Sequence, residues 1–125
     1  KAALTRTHTD PNDPERLLAA LGGPEFAVLA GVCLGAAEAG SPVVLDGLAT
    51  SVAALIATKF SPGLHGWLVA SQASREQVHH IVLAELGLEA LMELRMRAGE
   101  GVGACFGAQM ILTGLQVRRT AARTC

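Results

Sequence analysis

Apolar positions along this chain fall into short runs cut by glycine, proline and charged residues. Each run has the length of one modest helix or strand. The longest, Phe26 to Ala37, lies between Glu25 and Glu38. Pro24 and Glu25 open it as a helix that reaches about Ala39 and is closed by Gly40. A shorter helix precedes it. Asp13 supplies the cap, Pro14 the first helical position and Glu15 an acid for the first turn, and the helix runs to about Leu21 before Gly22-Gly23. Pro42-Val43-Val44-Leu45 is a brief apolar run bounded by turn residues, the pattern of a buried parallel strand. A helix is expected from about Ala49 to Phe60, broken by Ser61-Pro62-Gly63, and a second strand over Gly66 to Ala70. Polar Ser71-Gln72-Ala73-Ser74 then leads into a helix from Ser74 to about Leu86, ended by Gly87. Residues Leu91 to Met96 are ambiguous: their side chains favour helix and only their place in the order argues for a strand. A last helix is expected from about Glu100 to Val117.

Strand and helix alternating at short spacing indicate right-handed β-α-β units and a parallel sheet, an α/β fold of Rossmann-like type with flanking helices. Ligands of such sheets bind beyond the carboxyl ends of the strands. Three polar turns therefore converge on one edge: Asp46-Gly47, Ser71 to Ser74, and Arg97 to Gly101. The first thirteen residues are polar and read as a leader or linker, leaving 14–125 as the folded part.

Composition narrows the class. The chain has 125 residues, half of them hydrophobic but only 3% aromatic, with a net charge of −1. That suits one domain of closely packed helices on a sheet and gives no footprint for nucleic acid; the arginines from Arg118 to Arg123 lack interleaved aromatics. The longest apolar run is too short to span a bilayer, and no signal peptide is evident. Cys33, Cys105 and Cys125 show no metal or redox spacing. Cys33 and Cys105 are expected as small buried hydrophobes, and a cytoplasmic location fits. His79 and His80 are adjacent on a helix and face different ways, so they are not a metal pair. No metal and no cofactor is implied.

The stretch Arg97-Ala98-Gly99-Glu100-Gly101-Val102-Gly103-Ala104 carries the chemistry. Its glycines fit the dinucleotide pattern, but that fingerprint expects an acid about twenty residues on, and no Asp or Glu follows Glu100. A carboxylate among glycines can be a general base with room for a flat substrate. Spacing alone favours the commoner alternative, a first-turn acid complementing the helix dipole. Asp46 is a cap, a turn former or a site residue; Ser74 is a helix cap or a ligand contact; Arg97 is an exposed charge or an anion clamp.

Taken in order, these stretches resemble the C-terminal portion of the nicotinate-nucleotide–dimethylbenzimidazole phosphoribosyltransferase family. Gly22-Gly23-Pro24-Glu25-Phe26-Ala27 resembles the family's GG-x-E-I-A helix start. Pro42-Val43-Val44-Leu45-Asp46-Gly47 resembles its P-V-V-L-D-G turn, and residues 97–104 its R-L-G-E-G-T-G-A. Gln72 stands where the family often has histidine, and Gln77-Val78 where it has proline-glycine, while Ser74, Glu76 and His79 match. Ala98 replaces the usual leucine. The family also has an upstream glutamate and a glycine-threonine-rich phosphate segment that nothing here matches, so the chain is expected to be part of a larger domain.

The resemblance implies transfer of ribose phosphate from nicotinate mononucleotide to 5,6-dimethylbenzimidazole or a related base, as in making the lower ligand of cobalamin. It assigns the general base to Glu100, lets Gly99 and Gly101 seat a flat ring against the backbone, and sets Asp46, Ser74 and Arg97 near the substrates. It further implies small-molecule substrates and a homodimer, with no nucleic acid or membrane partner. A non-catalytic fragment, or a generic nucleotide-binding α/β module, is the alternative.

Overall fold

The computed structural model describes residues 2–7, 9–10, 12–96 and 98–121. Helix α1 (Ala2–Thr7) lies within the stretch read as a leader or linker and is followed by α2 (Pro14–Leu21). The Asp13 side chain accepts from the Arg16 amide and caps α2, with Pro14 at the first position, as its sequence suggests. Helix α3 (Pro24–Glu38) comes next, then strand β1 (Val43–Leu45), helix α4 (Leu48–Phe60), a 3₁₀ turn (Pro62–Trp67) and strand β2 (Leu68–Ala70). Helices α5 (Gln77–Glu85) and α6 (Val102–Thr120) complete the order.

Strands β1 and β2 pair in parallel, Val43 opposite Leu68 and Leu45 opposite Ala70, with α4 as the crossover. This is the parallel α/β arrangement expected. The third strand is reduced to one parallel bridge, Gln72 to Met92, held by the Met92 amide on Ser71 O and the Ala73 amide on Met92 O. Two features cut it short. Residues 91–96 carry no β-branched side chain, and Arg95 turns to φ 53°, which ends any extended run.

Helix α4 lies at the centre because its buried face is small: Ser51, Ala53, Ala54 and Ala57 admit α3 and α5 closely. The core joins Ala30 and Cys33 of α3 to Leu45, Ala54, Ala57, Leu64, Leu68, Val82 and Leu86. Aliphatic interlock thus replaces the aromatic packing that the composition withholds. Burial raises the thiol pKa of Cys33. Cys105, expected inside, is exposed on α6. Gly31 and Gly35 of α3 have open space where a side chain would stand.

Candidate active site

A cleft of about 850 Å³ opens beyond the carboxyl ends of β1 and β2. Asp46, Ser74, Gly99, Glu100 and Gly101 all line it, so the three turns do converge. Arg97, the remaining expected contact, lies outside the described residues. Arg75, which sequence reasoning passed over, brings a guanidinium to the rim.

The β1 turn is built by Thr50. Its Oγ1 accepts from the Asp46 and Gly47 amides, both at 3.0 Å, and donates to Gly47 O at 2.9 Å. This satisfies the amides that the start of α4 would leave unpaired. Asp46 is thereby free to act elsewhere. Its Oδ1 accepts from the Ala104 amide at 3.0 Å, 58 residues away. Gly101, the residue before α6, has no side chain to cap that helix. Asp46 does so from another element, and it joins the end of β1 to the start of α6.

Helix α6 approaches the sheet through Gly103 and Gly107, its two buried residues. A Cβ on Gly103 would stand 2.7 Å from the Gln72 side chain and 2.8 Å from Asp46 Oδ1. One on Gly107 would stand 2.6 Å from Ser71 Cβ. The missing side chains therefore set how deep the cleft floor lies.

Glu100 is not in the first turn of α6, which begins at Val102. It sits in the preceding turn at φ 54°, between Gly99 at 65° and Gly101 at 82°. Left-handed backbone is cheap for the glycines and costs about 1–2 kcal/mol for a residue with a Cβ. The chain thus holds an exposed carboxylate in a strained conformation at the cleft, a feature that clusters at functional sites.

The second turn rests on His79, which is 1% exposed. The Ser74 amide donates to His79 Nδ1 at 2.9 Å, so the ring proton resides on Nε2 and donates to Ser51 Oγ at 3.0 Å. Burial holds the imidazole pKa below its usual range, His80 adds to this, and Glu76 and Asp46 oppose it. Ser74 is not a helix cap: its Oγ accepts from the Glu76 amide at 3.3 Å, inside the turn. Ser71 Oγ donates to Leu45 O and locks the turn to β1.

Gln72 was also missed as a site residue. It is 6% exposed, and its Oε1 has no hydrogen-bond partner among the described residues. Its signals were its place in the polar turn after β2 and its standing where the resembled family often has histidine.

The arrangement offers a carboxylate for proton transfer, acceptors on the floor and a guanidinium at the rim. No group of acids, histidines and cysteines among the described residues could hold a metal. No helix there is long and apolar enough to cross a membrane.

Comparison with known proteins gives this cleft a context. The chain is 41% identical over 118 residues to the nicotinate-nucleotide–dimethylbenzimidazole phosphoribosyltransferase of Desulforudis audaxviator, covering 94% of this chain and 33% of that protein. It is 44% identical over 117 residues to the enzyme of that name from Salinispora tropica, covering 94% and 32%. The solved structure of CobT from Thermus thermophilus superposes with a TM-score of 0.88 at 37% identity, covering 96% of this chain and 36% of that one. The chain spans about a third of the length of the curated relatives it matches. The sequence profile described as phosphoribosyltransferase extends over residues 1–124, nearly end to end, and the chain accordingly belongs to that family.

Proposed function

We propose that this chain forms the base-bearing wall of a phosphoribosyl-transfer site. It would act on nicotinate mononucleotide and 5,6-dimethylbenzimidazole, or a related base, to give α-ribazole phosphate and nicotinate. The observation that carries the reading is Glu100, held in a strained turn on the same cleft as Asp46 and Ser74. The relatives' names supply the substrates.

The chemistry asks little of the protein. One benzimidazole nitrogen attacks the anomeric carbon while the bond to the nicotinate nitrogen breaks, and its electron pair neutralises the pyridinium. The leaving group therefore needs no acid. The new bond leaves the benzimidazole cationic, and loss of its other N–H proton removes that charge. Glu100 would take this proton, as one positioned carboxylate can. Gly99 and Gly101, with no side chains, would let the flat ring lie against the backbone. Ser74 would face ribose or phosphate, as would Arg97. A guanidinium such as Arg75 at the rim suits a phosphate dianion.

Residues 14–125 would then act as the C-terminal part of the catalytic domain. The same reading carries a cytoplasmic homodimer, and exposed Phe106, Met110 and Leu115 on α6 give it an apolar face for association.

The test is to mix the protein with both substrates, alone and with the upstream two thirds of the Desulforudis relative, and to follow nicotinate. Release that depends on Glu100 supports the proposal. Nucleotide binding without release in either mixture contradicts it and favours a nucleotide-binding module, a reading that coverage of only a third of the relatives keeps in play.

A further inference from the structure

His79 is nearly sealed from solvent, and both of its ring nitrogens are engaged. A backbone N–H can only donate, so the Ser74 amide requires a bare Nδ1 and the ring proton lies on Nε2. That tautomer rules out a nucleophilic pair in which the ring takes a proton from Ser51, because Nε2 already holds one. Burial keeps the ring neutral near pH 7. The imidazole is therefore a connector, an acceptor on one side and a donor on the other.

It joins two stretches of the cleft lining. Ser74, Arg75 and Glu76 form one; Leu48, Ala49 and Thr50, at the start of α4, form another, and Ser51 follows them directly. Little else fixes the first stretch. Arg75 and Glu76 are exposed, so packing adds little. The Glu76 amide bonds to Ser74 Oγ, inside the segment. The Ser74 amide goes to His79 Nδ1, and Glu76 O accepts from the His79 amide. Among the described residues, both hydrogen bonds that leave segment 74–76 thus end on His79. Ala73, one residue earlier, is tied instead to Met92 O.

We infer that His79 is a positioning residue for nucleotide binding: its Nδ1 holds segment 74–76 in the place where Ser74 and Arg75 meet the ribose phosphate. The inference rests on the phosphoribosyl reading of the cleft and adds to it the residue that keeps one contact segment in place. A segment that occupies its binding place for only part of the time lowers the apparent affinity by that fraction. Glu100 stands on a different turn, so releasing the segment leaves the proton-transfer step alone.

The test uses two amides that each copy one ring nitrogen. In His79→Asn the side-chain oxygen stands where Nδ1 stands and accepts from the Ser74 amide. In His79→Gln the amide reaches the place of Nε2, beside Ser51, and leaves Ser74 without an acceptor. Dissociation constants of nicotinate mononucleotide are measured by calorimetry near neutral pH, on the chain alone and with the upstream two thirds of the Desulforudis relative. His79→Gln should bind about three- to tenfold more weakly than the unaltered chain, the size of one lost hydrogen bond, and His79→Asn within about twofold of it. Where the mixture turns over, His79→Gln should raise the nucleotide KM by the same factor and leave kcat within about twofold. His79→Leu serves should His79→Gln not fold, and the split between KM and kcat decides should His79→Asn not fold. Equal affinities in all variants would overturn the inference, as would an equal loss in the Asn and Gln variants, or a kcat that falls at constant KM. Absence of nucleotide binding in both settings overturns it together with the transfer reading. The expected affinity pattern without nicotinate release leaves this inference standing and refutes the transfer reading. Release with equal affinities does the reverse.

Discussion

Replacing Glu100 by glycine and by alanine separates its chemical role from its conformational cost. Both changes remove the carboxylate, and its exposed side chain makes no hydrogen bond or ion pair among the described residues, so neither loses packing. Only glycine relieves the φ of 54°. Escape from left-handed strain favours glycine by about 1–2 kcal/mol. Glycine's extra freedom in the unfolded chain returns about 0.4–1 kcal/mol of that. The difference leaves Glu100→Gly more stable than Glu100→Ala by about 1 kcal/mol, or roughly 3–5 °C in melting temperature for a chain of this size. Urea unfolding followed by circular dichroism measures it, with equal slopes required before midpoints are compared. The sign is diagnostic. In ordinary helical or extended backbone glycine is the worse residue by about 0.5–1 kcal/mol, so Glu100→Ala proving the more stable would refute the strained turn. A stability gained by deleting the proposed base is the trade-off expected where strain serves function.

Three further outcomes follow from the same geometry. Gly107→Ala should destabilise by about 1–3 kcal/mol, since its Cβ would meet Ser71 in the turn after β2; Gly103→Ala should in addition weaken nucleotide binding by displacing Gln72 and Asp46, which calorimetry reads. Asp46→Ala should cost about 1 kcal/mol by uncapping α6, with Asp46→Asn less harmful because an amide oxygen still accepts from Ala104, an ordering that thermal melts would show. Stability should fall in acid through His79: the unfolded imidazole binds a proton near pH 6.5 while the folded one resists it, so the unfolded state holds more protons below that pH. The contribution of His79 is therefore complete above pH 6.5 and is lost as pH drops toward the lowered folded value, whereas His79→Gln should flatten the urea midpoint over this range.

Local signals were the legible part of this chain. Asp13-Pro14 announces α2, Val43 to Leu45 reads as a strand from its apolar run, and the polar turns follow from strand order alone. The convergence of Asp46, Ser74 and Glu100 was legible for that reason, because parallel topology sends successive turns to one edge. Pairings distant in sequence were not. Nothing near Asp46 indicates that its partner is the Ala104 amide, or that Thr50 would free it by serving its own turn. The start of α6 was misjudged by two residues because Glu100 resembles a first-turn acid until its backbone is seen to be left-handed. His79 was legible only as a neighbour of His80 that makes no metal pair with it, and burial against Ser51 reveals it as the support of the Ser74 turn. The third strand failed where tertiary pairing had to overrule side chains that do not favour extension.

The central claim is that Glu100 takes the benzimidazole proton during phosphoribosyl transfer. It is tested most directly by the rate of nicotinate release with Glu100→Gln, in whichever mixture supports turnover with the unaltered chain. Glutamine keeps size and polarity but cannot accept the proton. The account predicts a fall in turnover of roughly 10²–10⁴, the usual contribution of a general base, with nucleotide affinity changed by no more than about twofold, since the lost step involves the other substrate. Turnover near that of the unaltered chain would contradict it.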